Sequence, residues 1–257
     1  MGAEFDKAAS KYDKTFTNTT IGRRQRDMVW NYVDQFIADS KKSILELNCG
    51  TGEDASHFGE AGHRVLATDV SSEMLTVTRG KCQSLQQVSS QILDLTNPPA
   101  LDQQFDLIFS NFGGLNCLNP DQLQRLAEWS LKHLNEDGSL ILVIMPRDTL
   151  IEKWYRKYKG DNTSIEQRQG DNPTVVNVDG QAVHTYFYNP DEVIELLPTL
   201  KVKTVKATGY VPSYWSGNRL EGLVLGLGWL FGLFGLGAQY GDHFLVHFRK
   251  DGTRIKT

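Results

Sequence analysis

The chain has 257 residues, of which 23% are charged, and its formal net charge is −4. This length suits one large α/β domain and is short for two domains of ordinary size. The acidic balance, with one small basic cluster at Arg23, Arg24 and Arg26, argues against a nucleic-acid partner. Three cysteines in no paired or metal-like spacing indicate a reducing compartment without disulfides or a metal site. The first fourteen residues lack the apolar core of a signal peptide, so we expect a cytoplasmic protein.

The first 145 residues alternate predicted strands and helices. Apolar residues recur at helical spacing over 21–38, which predicts an amphipathic helix. The predicted elements that follow are strand 43–48, a helix ending at 61, strand 64–68, helix 72–81, strands 89–93 and 105–110, helix 121–134 and strand 139–145. Repeated strand-then-helix order predicts a doubly wound parallel sheet with helices on both faces.

The pattern changes after residue 150. Two predicted strands, 174–178 and 182–188, flank Asp179-Gly180, a dipeptide typical of a tight hairpin turn. Asn189 followed by Pro190 begins a short helix, and strands are predicted over 201–208 and 243–250. A single domain with a cap inserted after the fifth strand is the economical interpretation.

A glycine turn closes the first predicted strand, in the segment ELNCGTG at 46–52. Glycines at this position let the backbone approach a ligand that a Cβ would exclude. The continuation from Gly50 to Ala55 also fits the dinucleotide fingerprint, so an NAD-dependent dehydrogenase is an alternative at this point.

Acidic residues stand at the ends of three successive strands. Glu46 lies near the glycine turn, where it would repel a pyrophosphate and attract an ammonium group. Asp69 suits a ribose diol, and Asp94 can accept a hydrogen bond from an adenine amino group. Together the three acids favour a ligand that carries an ammonium, a ribose and an adenine.

The motif series resembles the class I S-adenosylmethionine-dependent methyltransferases. The matching segments are ILELNCGTG, VLATDVSSEML, QILDLTN, FDLIFSNFGGLNCL and NEDGSLILVIM, between residues 43 and 145. The resemblance implies a Rossmann-like sheet of seven strands whose last strand is antiparallel and inserted between the fifth and sixth. It also implies S-adenosyl-L-methionine as cofactor and transfer of a methyl group to a small molecule. FDKAASKYDKTF at 5–16 is similar to the lid segment of small-molecule members.

The resemblance divides the chain and assigns site residues. The divisions are an N-terminal lid at 1–40, a cofactor-binding core at 43–150, an inserted cap with a hairpin at 151–190, and two last strands at 201–250 with an apolar insertion at 218–240. The implied cofactor-binding residues are Tyr12, Arg26, Glu46, Asn48, Gly50, Gly52, Asp69, Val70, Met74, Asp94, Leu95, Asn111 and Phe112. Asn48 departs from the commonest motif, which has glycine there. Arg26 is the expected partner of the cofactor carboxylate.

His243 is the candidate catalytic residue. If the last strand is antiparallel, Asp242 and His243 lie at the ligand-binding edge of the sheet, where a histidine would serve a hydroxyl acceptor as base, whereas a carboxylate acceptor needs none. A histidine hydrogen-bonded in the core is the alternative. His57, His63 and His133 lie in or beside predicted surface helices, and we expect them to be solvated rather than catalytic.

The stretch 222–238 carries no charge and contains six glycines. It is too short and too glycine-rich to span a membrane between two strands of one sheet. It is predicted to wall a pocket for a lipophilic acceptor through Leu223, Leu227, Trp229, Phe231 and Phe234. A buried helix pair and shallow membrane contact remain open, as does a membrane-associated adenosine-ligand binder without catalysis.

Overall fold

A seven-stranded sheet forms the centre of the protein. The computed structural model describes residues 5–178, 181–212, 215–217, 222, 225–226 and 237–250. The strands are β1 (Ser43–Leu47), β2 (Arg64–Asp69), β3 (Val88–Ile92), β4 (Phe105–Ser110), β5 (Leu134–Ile144), β6 (Thr174–Val178), β7 (Gln181–Thr185), β8 (Lys201–Ala207) and β9 (Phe244–Arg249). The order in the sheet is β3-β2-β1-β4-β5-β9-β8, and β6 pairs with β7 as a separate hairpin.

The pairing directions confirm the predicted topology. Strands β1 to β5 pair in parallel, whereas β9 is antiparallel to both β5 and β8. The last strand therefore lies between the fifth strand and the sixth strand of this sheet. The parallel register aligns the carboxyl ends of β1, β2, β3 and β4, so the loops that follow them meet at one edge.

The helices are α1 (Thr20–Ile37), α2 (Glu53–Glu60), α3 (Ser72–Lys81), α4 (Pro120–His133), α5 (Leu150–Lys159), α6 (Asn162–Gln169) and α7 (Pro190–Leu196). Short helical turns cover Ala9–Tyr12, Asp13–Thr17, Gly114–Cys117 and Ala238–Tyr240. Side-chain caps fix several starts: Thr19 accepts from the Gly22 amide and Ser71 from the Met74 amide, and capping boxes begin α4 and α7. Helices α5 and α6 were not predicted.

Two apolar layers cover the sheet because successive strand residues point to opposite faces. Ile44 packs in one layer with Val33 of α1 and Phe58 of α2. Leu45 packs in the other layer with Leu126 of α4. The core thus holds the strands rigidly and leaves the loops at the carboxyl edge to form a site.

The structure corrects one prediction about solvent exposure. His63 and His133 are buried, so the prediction that they are solvated is wrong, whereas His57 is partly exposed and contacts Asp34. The rings of the two buried histidines are hydrogen-bonded to the backbone: His63 Nδ1 accepts from the Lys42 amide, and His133 bonds Trp129 O and the Leu101 amide.

Most of the stretch 222–238, including Leu223, Leu227, Trp229, Phe231 and Phe234, lies outside the described residues. No helix in the described ranges is long and apolar enough to cross a bilayer.

Candidate active site

A cavity of about 570 Å³ opens at the carboxyl edge of the sheet. Eleven of the fourteen candidate site residues line it: Tyr12, Asn48, Gly50, Asp69, Val70, Met74, Asp94, Leu95, Asn111, Phe112 and His243. Arg26, Glu46 and Gly52 are not among the lining residues. The loops after four parallel strands and the start of β9 therefore converge on one space, large enough for a ligand of drug size.

The glycine turn adopts left-handed backbone at alternate residues. The φ angles are 47° at Asn48, 55° at Gly50 and 75° at Gly52. A Cβ added to Gly50 would have only the Tyr12 ring within 4 Å, at 3.9 Å, whereas one on Gly52 would meet the Thr78 side chain at 2.6 Å. Gly50 therefore faces the cavity, while Gly52 packs against α3.

Asn48 replaces the usual glycine without blocking the turn. Asparagine tolerates a positive φ better than most residues, and its side chain is fixed by two hydrogen bonds. Asn48 Nδ2 donates to Asn111 O at 3.0 Å, and Ser110 Oγ donates to Asn48 Oδ1 at 2.7 Å. A Cβ on Gly114 would lie 2.5 Å from Asn48 Cγ. Asn48 and Gly114 are thus sterically matched, a pairing that the sequence analysis missed.

Asp69 combines a structural and a ligand-facing position. Its Oδ2 accepts from the Gly50 amide and its Oδ1 from the Ser71 amide, each at 2.9 Å. Burial raises the pKa of Asp69, and these backbone bonds offset part of the increase. Asp94 likewise accepts from the Thr96 amide and hydroxyl. Both acids therefore order their own loops while also lining the cavity.

A buried ionic cluster lies next to the glycine turn. Arg26 of α1 forms an ion pair with Asp54 of α2, and Asp54 also accepts from Trp30 Nε1 at 2.7 Å and from Asn111 Nδ2 at 3.2 Å. Glu46 Oε2 is buried without a hydrogen-bond partner in the described structure. Burial, then the nearby Asp54, raises the pKa of Glu46 well above its usual range.

The N-terminal segment, residues 5–17, closes one end of the cavity. Phe5 and Tyr12 line it, and both pack with Ala8, Ala9 and Met74. Burial raises the pKa of Tyr12 to about 12, so this phenol is neutral at physiological pH. The aromatic rings of the predicted lid therefore lie over the loops after β1 and β2.

Hydrogen bonds and an ion pair hold residues 5–17 against the rest of the domain. Ser71 Oγ donates to Asp6 at 2.5 Å, and Thr51 Oγ1 donates to Asp13 at 2.5 Å. Lys81 forms an ion pair with Asp13 at 3.0 Å. These contacts join residues 5–17 to both the glycine turn and helix α3.

Asp242 and His243 form a hydrogen-bonded dyad on the cavity wall. His243 Nδ1 lies 2.9 Å from Asp242 Oδ2, which also accepts from Gln25 Nε2 at 2.8 Å. His243 is 6% exposed and Asp242 7% exposed. Burial raises the pKa of Asp242, but His243, their hydrogen bond, Arg168 and Gln25 together bring it below its ordinary value. An ionised carboxylate places the proton of a neutral imidazole on Nδ1, so Nε2 is left as the acceptor.

Residues of the cap also line the cavity. Glu152 and Arg168 line it and are joined at 2.7 Å, and the Arg168 guanidinium lies 4.2 Å from the centre of the Phe187 ring. Val175 and Val183 of the hairpin add apolar surface. A cap was predicted here from the sequence, but these residues were not predicted to line the site.

Comparison with known proteins agrees with this geometry. Residues 44–138 match the family model described as a methyltransferase domain. A demethylmenaquinone methyltransferase of Clavibacter sepedonicus is 31% identical over 132 residues, which cover 49% of this chain and 53% of that protein. A malonyl-[acyl-carrier protein] O-methyltransferase of Hamiltonella defensa is 31% identical over 112 residues, covering 43% and 40%. The chain spans about half the length of the curated relatives it matches.

Solved structures share the whole fold. The magnesium protoporphyrin IX methyltransferase of Synechocystis PCC 6803, solved with bound S-adenosylhomocysteine, superposes with a TM-score of 0.63. The match covers 97% of this chain and 98% of that one, at 12% sequence identity. The predicted class I resemblance is therefore confirmed for the fold.

Proposed function

Because the chain contains a methyltransferase domain of the class I fold, we propose that it is an S-adenosylmethionine-dependent methyltransferase acting on a small acceptor. The observation that carries the proposal is a single cavity. Its lining includes an open glycine turn, two strand-end carboxylates and the Asp242–His243 dyad. A cofactor site and a proton acceptor thus face the same space.

The lining residues fit the cofactor. Asp69 would hold the ribose hydroxyls, Asp94 and Leu95 would contact the adenine, and Val70 and Met74 would pack on the adenosine. Gly50 and Asn48 would border the methionine portion, with Asn111 and Phe112 beside the sulfonium and Tyr12 above. Glu46 and Gly52 do not line the cavity, so they would act on the methionine portion through the glycine turn rather than by facing the cavity. A contact from Arg26 to the cofactor carboxylate remains a prediction, because Arg26 is paired with Asp54.

The alternatives are less well supported. An NAD-dependent dehydrogenase would place a pyrophosphate at a turn that the Asp69 carboxylate borders. The methyltransferase-domain match covers this same turn. A binder of adenosine ligands without catalysis does not account for the buried Asp242–His243 pair among the residues that line the cavity.

We propose that the methylated atom is a hydroxyl oxygen. S-adenosylmethionine held at the glycine turn would supply a methyl group activated by a sulfonium, and the electrons of the broken C–S bond would remain on the sulfur of a neutral thioether. His243 Nε2 accepts the hydroxyl proton as the oxygen–methyl bond forms, and Asp242 stabilises the resulting imidazolium. Phe112 and the closed N-terminal segment exclude water and hold the reacting atoms in line.

The acceptor is proposed to be lipophilic. Val175, Val183 and Phe187 give the cap end of the cavity an apolar lining, and the charges of Glu152 and Arg168 are mutually paired. The uncharged stretch 222–238 is proposed to complete this wall and to make shallow membrane contact. Trp229→Ala is then expected to raise the acceptor KM without changing cofactor affinity; equal loss of both would indicate a purely structural role.

An assay with labelled methyl donor tests the chemistry. Candidate acceptors are matched lipophilic phenols and carboxylic acids, together with small polar analogues. His243→Gln and Asp242→Asn should each lower kcat on phenols, by about 10²- to 10⁴-fold for the histidine, while cofactor affinity is unchanged. His184→Gln, an exposed histidine on the hairpin, is the matched control. Undiminished turnover by His243→Gln would exclude the base, and turnover of only small polar acceptors would contradict the lipophilic pocket.

A further inference from the structure

Helix α5 exposes a stripe of large apolar side chains to solvent. Leu150, Trp154 and Tyr158 are 37%, 68% and 78% exposed. They are four residues apart, so they lie on one face of the helix, and the rings of Trp154 and Tyr158 stack at 6.1 Å. We call these three residues the α5 stripe. Folded soluble proteins seldom present a contiguous group of this kind without a partner.

Basic residues border the α5 stripe. Lys153 and Lys157 are exposed, and a rotation of 100° per residue places both along one side of it. Lys153 reaches Asp148 at 3.3 Å. The acid within α5, Glu152, is buried on the inner face, where Arg156 and Arg168 neutralise it. The solvent-facing side of the helix itself therefore carries only apolar and basic side chains, of which Lys153 is paired with Asp148 outside the helix, on a chain whose net charge is −4.

The inner face of the same helix borders the cavity. Glu152 and Arg156 line that cavity. Ile151 and Tyr155 pack with Leu225, which belongs to the uncharged stretch 222–238. Helix α5 thus separates the cavity from the exposed stripe by one helix diameter, about 10 Å.

We propose that the α5 stripe docks the protein on the surface of an anionic lipid membrane. Trp and Tyr rings favour the headgroup region, where an apolar body and a polar edge are both accommodated. Lysines beside them are attracted to lipid phosphates, and a helix with such a face lies in the plane of the interface. This surface is distinct from the stretch 222–238, and the proposal goes beyond methyl transfer without depending on it.

Vesicle co-sedimentation of the full chain tests the docking. Vesicles of phosphatidylcholine alone are compared with vesicles that also contain phosphatidylglycerol. We expect binding to the anionic vesicles that weakens with added salt. Trp154→Ser with Tyr158→Ser should reduce the partition coefficient by about tenfold or more, and Lys153→Gln with Lys157→Gln by about fivefold for each lysine.

The control is a second lysine pair that lies away from α5. Lys132→Gln with Lys201→Gln removes the same charge from other exposed positions and should bind vesicles at least fivefold more tightly than the α5 lysine variant. An equal loss of vesicle binding in the α5 lysine variant and in the control variant would show that only net charge matters, and would overturn the proposal. Absence of wild-type binding, or wild-type binding retained by the stripe variant, would also overturn it. The proposal would also be overturned if the protein bound an acidic carrier protein through the α5 stripe and did not bind vesicles. Cofactor titration of each variant shows separately whether the site is intact.

Discussion

Replacing Asp69 with alanine is the perturbation whose effect follows most directly from the site. The carboxylate lines the cavity at the end of β2 and holds the Gly50 amide at 2.9 Å. The substitution removes the proposed acceptor for the ribose hydroxyls and releases the glycine turn. A hydrogen bond to a charged group contributes about 1.5–3 kcal/mol, so the Kd for S-adenosylmethionine should rise by about 10- to 150-fold.

Isothermal titration calorimetry of folded protein measures the change. Asp106→Ala is the matched control, because Asp106 also accepts two hydrogen bonds, from the Ser43 amide at 2.8 Å and from Asn135 Nδ2 at 2.7 Å. Ser43 begins β1, so that carboxylate lies at the opposite edge of the sheet. The control should lose stability and keep its cofactor affinity. Unchanged affinity in Asp69→Ala, or equal weakening in both variants, would refute the assignment of Asp69.

Three further predictions concern the lid, the turn and the core. Deleting residues 1–20 should abolish turnover while circular dichroism shows a folded core; full activity would refute the lid. Gly114→Ala should lower the free energy of unfolding by about 1–3 kcal/mol through its clash with Asn48, and Asn48→Gly should recover part of that loss in a double-mutant cycle; additive losses would contradict the steric match. Burial, with Lys203 and Arg249, lowers the pKa of His247 from 6.5 to about 4, so the unfolded chain binds a proton that the folded chain does not. Stability should therefore fall by about 3 kcal/mol between about pH 6.5 and pH 4, and urea titrations of His247→Phe should lack that component; an identical pH dependence would refute it.

The sequence predicted the sheet well because its signals are local and repetitive. Short apolar runs separated by amphipathic helices specify a parallel sheet, and the strand-end positions of Asp69 and Asp94 follow from that order. Helices α5 and α6 were missed. Apolar residues recur at helical spacing in α5, at Leu150, Ile151, Trp154, Tyr155 and Tyr158, so this helix could have been predicted. Helix α6 has almost no apolar side, so periodicity gives no signal for it.

Pairwise features of the site were beyond the sequence because they join distant positions. Asn48 and Gly114 are 66 residues apart, and only the fold shows that one fills the space left by the other. Asp54 was overlooked although it lies in the first turn of the helix after the glycine turn. It became informative once the structure placed Arg26 and Asn111 beside it. The dyad was anticipated because the antiparallel last strand brings its start to the ligand edge.

The proposed function depends above all on binding of S-adenosylmethionine in the cavity at the carboxyl edge. Native mass spectrometry of the full chain, titrated in parallel with S-adenosylhomocysteine and with NAD, measures this binding. We expect one S-adenosylhomocysteine bound per chain, weaker uptake by Asp69→Ala, and no NAD adduct under the same conditions. Binding of NAD with no uptake of S-adenosylhomocysteine would contradict the proposed function.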